Sequence, residues 1–314
     1  MFKDKQILIA GGNGLIGRQL VDLLLEKGSI ITVADLKDSD NPQIRSLQLD
    51  LTNYENCLTS CNGMDYVFNL LCSKGSPKAM KERPASYFVP MLLFNTNLMR
   101  AAKECGIKRY LYTSTLGVYA HSEISHEDDV WQTYPSKNDK FAGWAKRMGE
   151  LQAEAYQIEY GWDDITIVRP ANTYGPYDDF DSDEAMVVPS LIKKALSGVS
   201  PLVVWGDGSN IRDFIHSNDI ARGMIVAMEN SPGPLRPINL GSGTGYSIKQ
   251  LVEIILSSID NPPDVFWDKD KITGDKMRVL NTERAKNMGF TPTISIEDGI
   301  KEVIEWYKEN RLGR

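Results

Sequence analysis

At the start of the chain the apolar positions change period twice. Residues 7–10 are an unbroken apolar run; Leu15, Ile16, Leu20, Leu23 and Leu24 then recur at helical spacing; Gly28 stops that helix; and residues 30–34 return to a β-branched run. Strand, glycine turn, helix and strand in that order make a βαβ unit. The alternation continues through the strand-like stretches SLQLDLTN, DYVFNLLCS, RYLYTSTLGVY and ITIVRPANTYG, with helical segments at 90–105 and 146–160. Such alternation predicts an α/β fold, a Rossmann-type doubly wound parallel sheet whose ligands sit beyond the carboxyl ends of the strands. Asp50, Cys72, Thr113 to Thr115 and Asn172 to Tyr174 all fall at those ends. Past Pro234, a glycine turn with a helix and an amphipathic last helix complete a smaller α/β lobe. The expected division is a nucleotide-binding domain over 1–174, with 211–232 returning to it, and a smaller substrate-binding lobe over 175–314.

Composition narrows the partner. Apolar residues at 42% and charged residues at 25% are those of an ordinary globular protein, and the net charge of -7 is spread without an acidic or basic block. That disfavours nucleic acid and points to a small ligand held in a local pocket. The opening apolar run is too short for a signal peptide or a membrane span, so a cytoplasmic protein without membrane contact is expected. Cys57, Cys61, Cys72 and Cys105 show no disulfide-scaffold density. Cys57 and Cys61 have no histidine beside them, and they read as half-buried thiols, not as a metal site.

The glycines of GGNGLIG have separate tasks. A side chain would block the turn out of the strand, keep the backbone from a pyrophosphate, or hold the helix off the sheet, so Gly11, Gly12, Gly14 and Gly17 let phosphate dock at the helix N-terminus, beside Leu15 and Ile16. Asp35 closes the second strand, where a carboxylate accepts hydrogen bonds from adenosine ribose hydroxyls and repels a 2'-phosphate. The predicted cofactor is NAD, not NADP.

GGNGLIG, Asp35, LDLT, FNLL, YTSTLGVY, Lys146, RPANTYGP and VVWGDGSNIRDFIHSNDIA together resemble the extended short-chain dehydrogenase/reductase family that modifies nucleotide-linked sugars. The likeness spans nearly the whole chain. Around NTYGPYDDF and VVWGDGS it is nearest the GDP-sugar members, the GDP-fucose synthases and GDP-mannose 3,5-epimerases, so a GDP-sugar is the favoured substrate. The resemblance implies that Asp50 and Leu51 flank the adenine, that Leu36, Leu71, Thr113 and Pro170 complete the cofactor pocket, and that Lys146 contacts the nicotinamide ribose. It implies that Thr115 hydrogen-bonds the reacting sugar hydroxyl, that Asn172, Val188 and Val204 meet the substrate, and that Arg212 and Arg278 bind its diphosphate. An anionic diphosphate on an acidic protein does need guanidinium forks. The alternative for Arg212 is a surface ion pair with Asp213. The resemblance further implies a homodimer, paired across a two-fold axis through the two long helices, which carry exposed-looking apolar residues.

The sequence departs from the family at its catalytic tyrosine, which normally stands four residues before the lysine and takes the hydroxyl proton as hydride leaves. Here that position is Ala142, and Phe141 beside it carries no acid-base group. Three explanations stay open: a tyrosine deliberately removed, a natural branch that manages without it, or a chain that binds and no longer catalyses. Leu116 and Gly117 follow Thr115 where a 4,6-dehydratase has an acid, which disfavours dehydration. Gly117 and Met186 replace the thiol and histidine that a GDP-sugar 3,5-epimerase uses. Hydride transfer alone survives, so an NAD-dependent nucleotide-sugar 4-dehydrogenase is expected, with a 4-epimerase or a non-catalytic NAD-binding protein as the alternatives. His216 is expected to cap or pack at a helix start near Asp219. His121, His126 and Tyr134 lie in a long polar loop that reads as a lid and offer a substitute acid-base group, whereas Tyr119 reads as packing. Lys74, Ser76 and Arg83 follow the fourth strand within reach of the sugar.

Overall fold

The computed structural model describes residues 1–73, 75, 77–182, 185–271 and 274–312, so Lys74 and Ser76 lie outside the described residues. The first half runs β1 (Gln6–Ala10), α1 (Leu15–Glu26), β2 (Ile30–Asp35), β3 (Arg45–Gln48), α2 (Tyr54–Cys61), β4 (Tyr66–Asn69), α3 (Pro77–Glu82), α4 (Pro84–Glu104) and β5 (Arg109–Thr113). A polar loop holding β6 (Ile124–Ser125) leads to α5 (Lys140–Tyr160), β7 (Ile165–Pro170) and β8 (Asn172–Tyr174). The remainder is α6 (Val187–Ala195), β9 (Leu202–Trp205), β10 (Ile211–His216), α7 (Ser217–Glu229), β11 (Ile238–Leu240), β12 (Gly245–Ser247), α8 (Ile248–Ser257), β13 (Val265–Asp268), β14 (Met277–Leu280), α9 (Glu283–Asn287) and α10 (Ile296–Tyr307).

Seven parallel strands form the main sheet in the order β3-β2-β1-β4-β5-β7-β11. Both faces are covered, which is why its strands read as continuous apolar runs. Ile7 and Ile9 pack on one face with Leu20 and Leu24 of α1 and Met224 and Met228 of α7. Leu8 and Ala10 point the opposite way, toward Met91 and Leu98 of α4 and Ala153 of α5. Strand order reverses between β1 and β4, and the crevice at their carboxyl ends is where such a sheet binds its ligand.

A second sheet runs β12-β10-β14-β6, with β8 paired to β10, and β9 and β13 form a separate parallel pair. Val188, Leu191, Val204, Leu251, Ile300 and Ile304 fill the core of this lobe. The division expected at residue 174 is crossed by the chain. Residues 211–216 stay in the smaller sheet, whereas α7 packs on α1, and β11 then pairs with the open edge of β7.

Two helices are longer than the apolar pattern indicated. Proline is suited to a helix start, which makes Pro90 read as a beginning, but Pro84 takes that place and Pro90 sits inside α4. Helix α5 starts at Lys140, so Ala142 and Lys146 lie one turn apart on a single helix. Exposed Val89 and Leu93 on α4, and Met148, Leu151 and Ile158 on α5, leave an apolar surface along this pair. Among the described residues no helix is long and apolar enough to cross a membrane.

The stretch expected to be a lid is stitched down. Its strand β6 pairs with β14, Arg284 Nη2 donates to both oxygens of Asp128 at 2.9 and 3.0 Å, and Asp275 accepts from Ser136 Oγ and Asn138 Nδ2, each at 2.9 Å. Polar character made the loop read as a lid because sequence does not show which side chains meet across a separation of 139 positions.

Candidate active site

The glycine turn is shaped by contacts only glycine permits. Gly11 has a φ of +81°, and a Cβ on Gly17 would lie 2.5 Å from the Gly11 carbonyl oxygen. Gly14 caps α1 without a side-chain hydrogen bond, so the first N–H groups, those of Leu15, Ile16 and Gly17, have no partner within the helix. Asp35 ties this turn to the end of β2 by accepting the Asn13 N–H at 3.1 Å. Leu36 next to it is exposed, Asp50 accepts from the Thr52 N–H and hydroxyl, and Leu51 is buried beneath.

Across the crevice, Lys146 is buried yet aimed at the ends of two strands. Its Nζ donates to the carbonyls of Leu71 and Thr113, both at 2.8 Å, which commits two of three ammonium protons. Burial pushes its pKa below the usual lysine value, against the opposing pull of Cys72 and Glu150. Thr115 begins the turn after β5, where its Oγ1 accepts the Gly117 N–H at 3.2 Å and keeps its own proton to donate. Helix α5 touches this turn closely, because a Cβ on Gly143 would fall 2.3 Å from the Gly117 carbonyl. Ala142 is half-buried against the α4 side of the core, so its methyl is all that this turn of the helix offers.

A closed polar network lies beneath. Ser114 Oγ donates to Glu150 Oε1 at 2.5 Å, Arg169 bonds both Glu150 oxygens and the Tyr119 hydroxyl, and that hydroxyl donates to Asn239 Oδ1 at 2.6 Å. Tyr119 has its pKa pushed up by burial, with Arg169 pulling it down, so it remains a neutral phenol in a structural role.

Arg212 and Arg278 are partners in register on β10 and β14. Their surroundings differ. Arg278 is held by Asp139, by the Leu116 carbonyl at 3.0 Å and by Asp275 at 3.7 Å. Arg212 donates to the Ile211 carbonyl, and among the described residues it has no carboxylate within ion-pair distance. Burial and the charge of Arg278 hold its pKa below the ordinary arginine value. Asp213 is not its partner: that carboxylate is buried and receives the Ser242 N–H and hydroxyl and the N–H groups of Gly243 and Leu280.

Comparison with known proteins places this arrangement. The family described as "Epimerase: NAD dependent epimerase/dehydratase family" matches residues 7–241. The chain belongs to that family. Its members' cofactor, NAD, fits the turn built by Gly11 and Gly17 and the carboxylate of Asp35. GDP-L-fucose synthase 1 of Arabidopsis thaliana is 29% identical over 321 residues, with 99% of this chain and 96% of that protein covered. GDP-mannose 3,5-epimerase 1 of Oryza sativa subsp. japonica is 25% identical over 317 residues, with 97% and 82% covered. Among solved structures, UDP-glucose 4-epimerase of Thermotoga maritima with UDP-glucose is 26% identical at a TM-score of 0.83, covering 97% of this chain and 99% of that one.

Within this family member, Gly11 to Gly17, Asp35, Leu71, Thr113, Thr115, Lys146 and Pro170 gather at the carboxyl ends of the main sheet. Val188 and Val204 do not join them by their side chains, which are buried in the core of the smaller lobe. Strand alternation explains Val204, since Val203 and Trp205 on either side face outward. The Asn172 amide is engaged by the Asp213 carbonyl at 2.9 Å. His216 caps α7, accepting the Asn218 N–H two residues ahead of the start expected at Asp219. His121 and His126 are exposed in the loop, Tyr134 turns its ring edge-on to Trp144, and Arg83 reaches the Tyr87 hydroxyl at 3.4 Å. Cys57 and Cys61 are fully buried on α2, not half-buried, and burial pushes Cys57 up to about 12.

Sequence reasoning missed the pairs Glu150–Arg169 and Asp139–Arg278. The first left a signal: an arginine within the buried run ITIVRP demands a counter-charge, and Glu150 follows Lys146 by one helical turn. The second left none.

Proposed function

We propose that this protein oxidises one secondary alcohol of a nucleotide-linked sugar, at C4 of a GDP-hexose or GDP-heptose, by hydride transfer to NAD. The position of Lys146 carries the reading. Two of its three ammonium protons are held by the Leu71 carbonyl, which follows β4, and the Thr113 carbonyl, which ends β5, and the third is left for a nicotinamide ribose. NAD supplies the hydride acceptor. The N–H groups at the start of α1 bind its pyrophosphate, Asp35 accepts from the adenosine ribose, Asp50 and Leu51 flank the adenine, and Leu36, Leu71, Thr113 and Pro170 line the rest. Thr115 Oγ1 accepts from the sugar hydroxyl and relays its proton, while Asn172 faces the sugar. Arg212, with no carboxylate partner among the described residues, and Arg278 beside it meet the diphosphate. GDP-sugar names among the relatives support the nucleotide. Leu116, Gly117 and Met186 supply no acid or base, which argues against dehydration and 3,5-epimerisation. Val89, Leu93, Met148, Leu151 and Ile158 support a homodimer through α4 and α5.

Incubation with NAD and a panel of GDP-, UDP- and dTDP-sugars, followed by NADH absorbance, tests the reaction. One GDP-sugar should yield NADH stoichiometrically. Absence of both free NADH and trapped reduced cofactor with every sugar overturns the proposal. The 4-epimerase name of the Thermotoga maritima structure supports a second reading, in which hydride returns to the opposite face. That reading gives a new sugar with no net NADH, and Ala142→Tyr then raises its rate.

A further inference from the structure

An alcohol that gives up hydride must also give up its hydroxyl proton, and Ala142 has no atom to receive it. Asp139 stands beside that gap. It caps α5, three residues before Ala142 and seven before Lys146, so Asp139, Gly143 and Lys146 fall along one stripe of the helix. A Cβ placed on Gly117 would lie 3.3 Å from Asp139 Cβ, 3.4 Å from its carboxyl carbon and 3.4 Å from Thr115 Cγ2. The Asp139 carboxyl carbon and the Thr115 methyl thus lie equally near one point beside Gly117, which puts the two side chains next to each other over that glycine. The other oxygen and nitrogen acids nearby are worse placed. Tyr119 is enclosed between Arg169 and Asn239, and His121 and Tyr134 are 58% and 78% exposed in the loop.

Arg278 Nη1 holds one oxygen of the Asp139 carboxylate, Oδ2, in an ion pair. Arg278, however, stands next to Arg212 across β10 and β14, and the two like charges face one another. A diphosphate offers two adjacent guanidinium groups several anionic oxygens at once, where Asp139 offers a single carboxylate to one of them.

We infer that Asp139 is the proton acceptor of the oxidation, released for that task when the substrate's diphosphate takes over Arg278. The inference rests on the hydride-transfer reading given above. In the step, the C4–H bond breaks with its electron pair passing to NAD⁺, and the O–H bond breaks with its proton passing through Thr115 Oγ1 to the Asp139 carboxylate. The C=O bond forms, NAD⁺ becomes NADH, and Asp139 returns the proton to water. Binding the charged end of the substrate thereby prepares the base at its reacting end.

The test is Asp139→Asn, read by calorimetric titration of GDP and by turnover of the sugar that wild-type protein oxidises. With the Asp139 carboxylate no longer competing for Arg278, GDP should bind about 2- to 5-fold more tightly. Turnover should fall by about 10²-fold or more. A purely structural role for the pair predicts the reverse in binding, since losing the contact would loosen Arg278. Unchanged or weaker GDP affinity removes the exchange, and a retained rate removes the base. If wild-type protein oxidises a sugar and the variant keeps its rate, the inference falls and the proposed function stands; if wild-type protein oxidises none, both fall.

Discussion

Arg169 grips Glu150 through two parallel bonds, Nε to Oε1 at 2.9 Å and Nη2 to Oε2 at 2.6 Å, with both side chains shut away from solvent. Glu150 lies one turn of α5 beyond Lys146 and also receives the hydroxyl of Ser114, the residue before Thr115. The pair therefore joins the helix carrying the lysine to the strand end carrying the threonine. Burial works against the charge on Arg169, but Glu150 and Tyr119 outweigh it and hold the guanidinium more firmly protonated than usual. Removing one member strands the other. Glu150→Gln should destabilise the protein by about 3–5 kcal/mol, the cost of an uncompensated buried charge, seen as a lowered urea midpoint. A loss below about 1 kcal/mol would place the pair among ordinary surface bridges.

Gly17→Ala addresses the cofactor. The added methyl would stand 2.5 Å from the Gly11 carbonyl oxygen and 2.6 Å from Gly12 Cα, so the turn must open and its N–H groups lose their aim. Calorimetry should show NAD binding abolished with the fold intact by circular dichroism. Retained NAD affinity would mean that the pyrophosphate is not held at this turn.

Arg212→Met addresses the substrate. Because among the described residues no carboxylate pairs with Arg212, its removal strands no opposite charge there, and stability should hold. A lost charge-assisted bond to a diphosphate should weaken GDP binding on the order of 10- to 100-fold. Equal affinity in variant and wild type would move the diphosphate elsewhere.

His216 sets an expected pH response. Burial holds its pKa down at about 4 from an ordinary 6.5, with nearby Asp219 pulling in the opposite direction. Between those values the unfolded chain takes a proton that the folded protein refuses. Stability is therefore full above pH 6.5, is lost as pH falls toward about 4, and declines no further through this group below that. The span corresponds to about 3 kcal/mol. His216→Asn keeps an acceptor for the α7 cap but cannot titrate, so its urea midpoint should vary less than wild type across that window. Parallel pH curves for the two proteins would show that His216 is not the group responsible.

Much of this was legible along the chain. The βαβ opening, the doubly wound sheet and the places of Asp35 and Thr115 at strand ends follow from local rules, because period and turn chemistry are set by neighbours in sequence. The smaller lobe was less legible. Its short strands pair across long separations, as Ile124 does with Val279, and β11 leaves that lobe to complete the main sheet. Val204 shows the limit at single-residue scale: alternation tells that neighbours face opposite ways, not which face is the core.

The sequence by itself determined that a glycine turn joins the first strand to the first helix, and that the turn of α5 before Lys146 carries a methyl where a phenol was expected. Both are properties of residue type at fixed spacing. Only the tertiary structure decided that Arg278 is held by Asp139 while Arg212 has no such partner among the described residues, and that a carboxylate stands beside Thr115 across Gly117. Those relationships join residues more than a hundred positions apart or on separate elements, and charge pairing depends on distance in space, which no local pattern encodes.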